Sequence, residues 1–242
     1  MTTAIANRPD YGVDAPGVVR GLALAGIATL AVAGIALDWS GVPSLGIVLA
    51  VIGVALLISS ALTLRNALYG KFRHRDRILG HVDWRGVERV LDVGTGRGLL
   101  LVGAIKRLTA GHGTGLDIWS KKDLSQNSID RTMSNLAVEG VAERCELVTG
   151  PAQDMPFPDA SFDVVLSNLC LHNIRGSETR ATACREIARV LKPGGIAVIS
   201  DLMFVGRHAE TFRGIGMAAE IDGPYLWDAF PPQKIVIARK PQ

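Results

Sequence analysis

The chain has 242 residues, of which 48% are hydrophobic, and a formal net charge of +3 at pH 7. This small positive charge does not by itself indicate a nucleic-acid-binding protein. The three cysteines, Cys145, Cys170 and Cys184, form no C-x-x-C pair and are odd in number. We therefore expect reduced thiols in a cytosolic domain, with neither a metal centre nor a disulfide framework.

Apolar residues are concentrated in the first quarter of the chain. Residues 1–17 contain several prolines and glycines and little periodicity, so we predict a flexible leader. Uncharged stretches follow at 21–37 and 45–64, and about 20 apolar residues suffice to cross a bilayer core. A soluble helix of such length needs a polar face, which neither stretch has. We predict a transmembrane helical hairpin over 18–64, with a buried hairpin in a soluble core as the alternative.

Basic residues flank this hairpin on both outer sides and are absent from its loop at 38–44. They are Arg8, Arg20, Arg65, Lys71, Arg73, Arg75 and Arg77. The positive-inside rule then predicts a multi-pass protein of the cell (inner) membrane, with both termini and the C-terminal domain cytoplasmic. A signal peptide cleaved near 31–33 is the alternative, and it would leave the C-terminal domain on the same side.

Small residues recur along both predicted spans. They are Gly21, Ala25, Thr29 and Ala33 in the first span, and Gly46 and Ala50 in the second. Such rows favour close packing of the two helices, or of two copies of the chain as a homodimer. The connector at 65–86 is basic and amphipathic, which predicts contact with anionic lipid headgroups. The alternative is that its charges only fix the topology.

From residue 87 onward, short apolar runs alternate with helical patterns. Strands are predicted at 88–93, 113–118, 145–149, 162–168 and 195–201, and helices near 98–109, 125–139, 177–190 and 207–216. This alternation predicts a doubly wound α/β fold with a mostly parallel sheet.

A glycine-rich loop follows the first of these strands. The strand contains Asp92, and the loop has Gly94, Gly96 and Gly98 before a helical pattern begins. In such folds ligands bind beyond the carboxyl end of the strand, close to the helix N-terminus. The spacing argues against a nicotinamide site, because Leu99 stands where that fingerprint has its third glycine.

The loop 92–98, Asp-Val-Gly-Thr-Gly-Arg-Gly, resembles motif I of the class I S-adenosylmethionine (SAM) methyltransferases, D-x-G-x-G-x-G. A second strand ending in Asp117 and the turn Leu-Lys-Pro-Gly-Gly at 191–195 fall where that family has them. The resemblance covers about residues 74–242. It implies SAM as the cofactor and a seven-stranded sheet closed by an antiparallel pair near 225–226 and 234–238. We place the methyltransferase domain at 87–242.

The resemblance also implies a set of cofactor-binding residues. Asp92 would receive the SAM ammonium group or only organise the loop, and Asp117 would accept both ribose hydroxyls, since a carboxylate has two acceptor oxygens. Trp119 would flank the adenine with its neighbour, or form a structural lid. The other expected contacts are Gly94, Thr95, Gly96 and Gly98 along the loop, Ile118 at the adenine and Asn168 at the methionine moiety.

One position departs from the family pattern. After the third strand, Pro151 stands where the family has an aspartate that accepts a hydrogen bond from the adenine amino group. Proline offers neither a side-chain acceptor nor an amide donor. We therefore expect the adenine contact to come from Gln153, Asp154 or the backbone around Ala152, or to be lost.

Two residues beyond later strands are candidates for a general base. His172 has the right side-chain type, with an unperturbed pKa of about 6.5, although it would alternatively only orient its loop. Asp201 is the second candidate. The sequence Asn-Leu-Cys-Leu at 168–171 differs from the Asn-Pro-Pro-Tyr of the nucleobase amine methylases, which argues against a nucleic-acid substrate.

These patterns predict a membrane-anchored SAM-dependent methyltransferase for a lipophilic small molecule, such as a quinone-, phenol- or lipid-like compound. In this fold the segment before the first strand roofs the acceptor pocket, and here it emerges from the predicted membrane hairpin. The alternatives are a methyltransferase of a soluble metabolite that is merely tethered, and a non-catalytic SAM-binding scaffold, which Pro151 would favour.

Overall fold

The computed structural model describes residues 8–13, 15–38, 43–120, 124–225 and 229–242. Helices α1 (Pro16–Asp38) and α2 (Pro43–Arg65) form an antiparallel hairpin. A π-helical turn (Asn66–Gly70) follows α2 and leads into α3 (Lys71–Leu79). The backbone angles are helical at both ends of this turn, so residues 43–79 form one continuous helix. The loop at 38–44 falls largely outside the described residues.

Both hairpin helices are long and apolar enough to cross a membrane. Their large side chains point mostly outward, with Leu24 exposed to 68% and Val51 to 64%. The helices meet through Gly26 and Gly53, where an added side chain would collide with a leucine of the other helix. Of the predicted small residues, Ala33 and Gly46 are buried in the hairpin, and a Cβ on Gly46 would collide with Leu37. A Cβ on Gly21 would meet no atom of the described residues within 4 Å.

The domain after α3 is built on a seven-stranded sheet. Its strands are β1 (Arg89–Val93), β2 (His112–Asp117), β3 (Cys145–Thr149), β4 (Phe162–Asn168), β5 (Leu191–Asp201), β6 (Ala218–Tyr225) and β7 (Gln233–Arg239). They lie in the order β3-β2-β1-β4-β5-β7-β6, and only β7 runs antiparallel to its neighbours. The predicted fold class is confirmed. The sequence indicated only the end of β6, and Leu226 lies outside the described residues.

Helices cover both faces of this sheet, as the predicted alternation requires. They are α4 (Leu99–Ile105), α5 (Ile129–Val138), α6 (Ser177–Val190) and α7 (Val205–Gly214). One apolar core lies beneath α6 and α7, and a second contains residues of α3, α4 and α5. Helix α5 begins later than predicted because the Ser128 hydroxyl caps it by accepting a hydrogen bond from the Arg131 amide.

Helix α3 joins the hairpin to the carboxyl-terminal edge of the parallel strands. His74 Nε2 lies 2.6 Å from the hydroxyl of Ser200, next to the last residue of β5. Nine residues separate Arg65 from His74, which corresponds to about 14 Å of helix. The apolar hairpin therefore leaves the domain on the side where ligands bind in doubly wound folds.

The basic connector is engaged with the protein more than its pattern predicted. Lys71 is buried and donates hydrogen bonds to leader carbonyl groups, and the Arg77 guanidinium lies 4.0 Å from the centre of the Tyr225 ring. Arg73 is exposed. The leader also differs from the predicted flexible segment, because residues 8–13 are hydrogen-bonded to the domain.

Candidate cofactor and acceptor site

The glycine loop is folded over the end of β2. The amides of Gly94 and Thr95 donate to the Leu116 carbonyl at 2.8 and 3.1 Å. Gly94, Gly96 and Gly98 have φ angles of 72°, 54° and 82°, which side chains rarely adopt. A side chain on Gly94 would also collide with Cys170. The loop thus needs glycine for its own backbone, as well as for the approach of a ligand.

Asp92 organises this loop from below. It is only 1% exposed, and its Oδ2 accepts from the Thr95 hydroxyl at 2.8 Å and from the Leu101 amide at 3.0 Å. Burial raises the pKa of Asp92 to about 7; the nearby Asp117 charge raises it further, while the two hydrogen bonds lower it. A positive group beside Asp92 would favour its ionised form.

Asp117 ties the end of β2 to the loop. Its Oδ2 accepts from the Gly96 amide at 2.7 Å, and its Oδ1 accepts from the Trp119 amide at 2.6 Å and from Asn127 Nδ2 at 3.2 Å. The Trp119 indole donates to the Thr149 hydroxyl at 2.8 Å, so the ring folds towards the end of β3. Ile118 is 63% exposed. Two apolar side chains therefore border this carboxylate, as expected for an adenosine site.

The turn with the unusual proline lies next to Asp117. The Gly150 amide donates to the Asp117 carbonyl at 3.1 Å. Gln153 is half-buried and Asp154 is exposed, whereas Ala152 packs against the core beneath α6. Of the predicted adenine contacts, Gln153 is therefore better placed by its burial than Asp154, and the Ala152 side chain serves packing.

The residues present fit SAM. Asn168 Oδ1 at the end of β4 is buried and has no hydrogen-bond partner among the described residues. Asp92 and Asp117 supply carboxylates suited to an ammonium group and to a ribose diol. Among the described residues, a Cβ on Gly96 would meet the side chain of Leu124, at 3.0 Å, and the Gly94 carbonyl, at 4.0 Å. An apolar border, a glycine cradle and an unpartnered amide thus converge at one edge of the sheet.

The two predicted base candidates lie together at the same edge. His172 Nδ1 is 2.6 Å from Asp201 Oδ1, and the His172 amide donates to Asp201 Oδ2 at 3.0 Å. Asp201 is 1% exposed and also accepts from the Leu202 amide at 2.8 Å. The ring N–H is not aligned for a hydrogen bond at this contact. A carboxylate this close to Nδ1 still favours the imidazolium form and leaves Nε2 for a substrate proton. This pair is an arrangement that the separate sequence signals did not predict.

His208 on α7 is a neighbour that sequence reasoning missed. It is 2% exposed, and neither of its ring nitrogens has a hydrogen-bond partner in the described part of the chain. Burial lowers the pKa of His208; Asp201 opposes this, whereas Arg180 and His172 reinforce it. The available signal was its helical spacing with the apolar residues Val205 and Phe212, which indicates a buried face.

Unusual backbone angles cluster at this edge. Trp119, Leu169 and Phe204 have φ angles of 59°, 53° and 61°, and each follows the carboxyl end of a parallel strand. Side-chain-bearing residues in this region are strained, and such strain concentrates at functional sites. Beside Asp201 lies a cavity of about 490 Å³. Most of its lining residues are apolar and three are charged; the lining comprises Leu202, Phe204, Val205, Gly206, Arg207, Glu210, Ile221, Pro224, Pro232 and Lys234.

Comparison with known proteins agrees with this geometry. Residues 91–199 match the sequence model of a family described as methyltransferase domain. The 27-O-demethylrifamycin SV methyltransferase of Amycolatopsis mediterranei is 33% identical over 135 residues, which cover 55% of this chain and 45% of that protein. A ubiquinone/menaquinone biosynthesis C-methyltransferase, UbiE, of a Ruegeria species is 32% identical over 152 residues, which cover 62% of this chain and 57% of that protein.

A SAM-dependent methyltransferase from Aquifex aeolicus superimposes with a TM-score of 0.55 at 16% identity, covering 68% of this chain and 88% of that structure. At this identity the likeness concerns the fold alone. The family model and the curated relatives support a SAM-dependent methyltransferase domain in this chain. SAM is the cofactor of this domain. The chain spans about half the length of the two curated relatives.

Proposed function

We propose that the chain is a membrane-anchored SAM-dependent methyltransferase for an apolar or amphiphilic small molecule of quinone-, phenol- or lipid-like character. The position of the hairpin carries this proposal. Helix α2 continues into α3, and His74 near the start of α3 lies 2.6 Å from Ser200 at the carboxyl end of β5. The candidate site and the apolar hairpin are thus at the same end of the domain. A bilayer-dissolved acceptor would reach the site without first entering bulk water.

The surface of the hairpin supports membrane anchoring. Large apolar side chains are exposed along both helices, among them Leu24 at 68% and Val51 at 64%. Soluble proteins rarely expose continuous apolar surfaces of this extent. The quinone named for one relative supports a lipophilic acceptor. The cavity beside Asp201 would suit an amphiphile, because most of its lining residues are apolar and Arg207 and Lys234 are also among them.

The chemistry follows from the residues at the edge of the sheet. SAM supplies a methyl group whose bond to the sulfonium sulfur breaks, with the electron pair remaining on sulfur, as the bond to the acceptor forms. Asp92, Asp117 and Asn168 would hold the cofactor, and the folded loops would align it and exclude water. His172 Nε2 would take the proton released by the acceptor, while Asp201 stabilises the resulting imidazolium. This favours an acceptor with a proton to lose, such as a phenolic hydroxyl.

The proposal is tested by following the methyl group. Full-length protein in vesicles of a bacterial total lipid extract is given SAM labelled in its methyl group, and the label is counted in the organic and aqueous phases. We expect label in the organic phase, reduced about 100-fold by His172→Asn, with unchanged SAM affinity. Glu178→Gln, at a side chain that is 80% exposed, is the control and should change nothing.

Two other results would each contradict part of the proposal. Label confined to an added aqueous metabolite extract would favour the alternative of a soluble-metabolite methyltransferase that is merely tethered. Tight SAM binding without transfer to either phase would favour the non-catalytic scaffold.

A further inference from the structure

Residues 10–13 of the leader lie against the domain, although the whole hairpin separates the two in sequence. The Asp10 amide donates to Asn135 Oδ1 at 2.9 Å, and the Asp10 carbonyl accepts from Asn135 Nδ2 at 2.9 Å and from Arg97 Nη1 at 3.1 Å. The Asp10 carboxylate adds an ion pair, with Oδ2 2.7 Å from Arg97 Nη1. One leader residue thus holds both α5 and the glycine loop.

Arg97 is the partner that makes this contact informative, because it lies between Gly96 and Gly98. Its side chain is 3% exposed, and its guanidinium also donates to the Ser125 carbonyl. The Arg97 carbonyl accepts from Asn135 Nδ2 at 2.9 Å. A buried guanidinium without an opposite charge is costly. Among the described residues, Asp10 of the leader supplies the ion pair that balances the one cationic side chain of the loop.

Tyr11 and Gly12 of the leader are bound to the connector that follows the hairpin. Lys71 Nζ donates to the carbonyls of Tyr11 and Gly12 at 3.0 and 2.6 Å. The Tyr11 ring meets the Phe72 ring edge-on at 5.8 Å, and the Tyr11 hydroxyl donates to Glu139 at 2.7 Å. Residues 8–13, which we name the strap, thus connect the cofactor loop to the first turn of α3.

Gly12 shows how closely the strap fits. Its φ of 67° is unfavourable for a side chain, and a Cβ there would lie 3.0 Å from both Arg97 and the Ser125 hydroxyl. The Val13 amide donates to that hydroxyl at 3.0 Å. The strap therefore passes directly over the loop that follows β1, rather than over a remote surface.

We propose that Asp10, acting through Arg97, is a positioning residue for the cofactor loop, and that the strap holds this loop in its SAM-binding conformation. The physical reason is that three glycines with positive φ have little intrinsic preference for one conformation, so the loop must be held from outside. The strap also links the loop to the first turn of α3, which continues α2 of the hairpin. This inference rests on the SAM site and is independent of the acceptor.

The test uses the full-length protein in lipid nanodiscs with the variants Asp10→Asn, Asp10→Glu and, as a control, Glu178→Gln. SAM affinity is measured by calorimetry, and amide hydrogen exchange over 92–98 is measured without SAM. For Asp10→Asn we expect about tenfold weaker SAM binding, equivalent to about 1.4 kcal/mol, and faster exchange of the loop. Asp10→Glu should keep most of the wild-type SAM affinity and the slow exchange of the loop, because it keeps the negative charge. The control should match the wild type.

Salt separates a charge effect from general loss of packing. Raising the salt concentration should weaken SAM binding by the wild type more than by Asp10→Asn, which has no ion pair to screen. A second variant lacks residues 2–13 but keeps the hairpin, and we expect it to lose more affinity than Asp10→Asn while its helical circular dichroism is retained.

Unchanged affinity and unchanged loop exchange in both Asp10→Asn and the deletion would overturn the proposal. Because amide hydrogen exchange is measured without SAM, it tests the strap independently of the proposed function. If the wild type bound no SAM, the proposed function would fail, yet faster loop exchange in Asp10→Asn would still support the strap.

Discussion

Replacing Asp92 with asparagine should change how stability depends on pH. Burial raises the pKa of Asp92 to about 7 in the folded protein, from an ordinary value of 3.8. At a pH between these two pKa values, Asp92 is protonated in the folded state and ionised in the unfolded state. The free energy of unfolding therefore falls as pH rises from about 4 to about 7, and it is constant above that. The shift of about 3 units corresponds to at most ~4 kcal/mol.

Asparagine is a suitable probe because its Oδ1 can still accept from the Thr95 hydroxyl and the Leu101 amide. Thermal or denaturant unfolding of both proteins in nanodiscs from pH 4.5 to 7.5 gives the difference in stability, in which other titrating groups cancel. We expect the stability of Asp92→Asn to rise relative to that of the wild type by up to ~3 kcal/mol between pH 4.5 and 7. The same dependence of stability on pH in both proteins would refute the claim that Asp92 is buried and protonated in the folded state.

SAM binding should show the opposite dependence if the cofactor ammonium lies beside Asp92. Ionised Asp92 attracts that ammonium, so wild-type affinity should rise by up to about tenfold per pH unit between 5.5 and 7. Asp92→Asn should lack this rise. Measurements stay below pH 7 because an α-amino group itself loses its proton near 7.7–8.0. An equal slope in both proteins would show that Asp92 only organises the loop.

Three further changes test other parts of the account. Gly96→Val should abolish SAM binding measured by calorimetry, because its φ of 54° disfavours a branched side chain; Gly206→Ala, with open space around it, should not. Pro151→Asp should tighten SAM binding by up to about 1–2 kcal/mol, the scale of a hydrogen bond to a charged group, and weaker binding would mean that this turn does not face the adenine. A reporter fused at Ser40 should be extracytoplasmic and one fused after Gln242 cytoplasmic; any other pairing contradicts the predicted topology.

The sheet and the cofactor loop could be predicted because their signals are local. The apolar run at 89–93 and the glycines after it define a strand, a turn and a helix within a few residues. Strand β6 carries Glu220, Asp222 and Pro224 at an exposed edge, so its apolar pattern is weak and only its end was indicated. The residue set of the site stays a prediction, and the structure adds the way in which its members are held.

The missed features depend on contacts between distant residues. Asp10 and Asn135 are 125 positions apart, and His74 and Ser200 are 126 apart. No local pattern indicates such pairs, and the prolines and glycines of the leader predicted mobility instead. The basic residues of the connector correctly suggested a charged segment, but burial of Lys71 against the strap could be recognised only in three dimensions.

Replacing residues 18–64 with a flexible soluble linker tests the central claim most directly, because it removes the hairpin and keeps the strap. Methyl transfer from labelled SAM to the lipid fraction is then compared in vesicles for the altered and full-length proteins. The account predicts nearly equal SAM affinity and a steep fall in lipid methylation, since the anchor raises the effective concentration of enzyme and acceptor at the bilayer. Equal lipid methylation by both proteins would contradict delivery of the acceptor from the membrane.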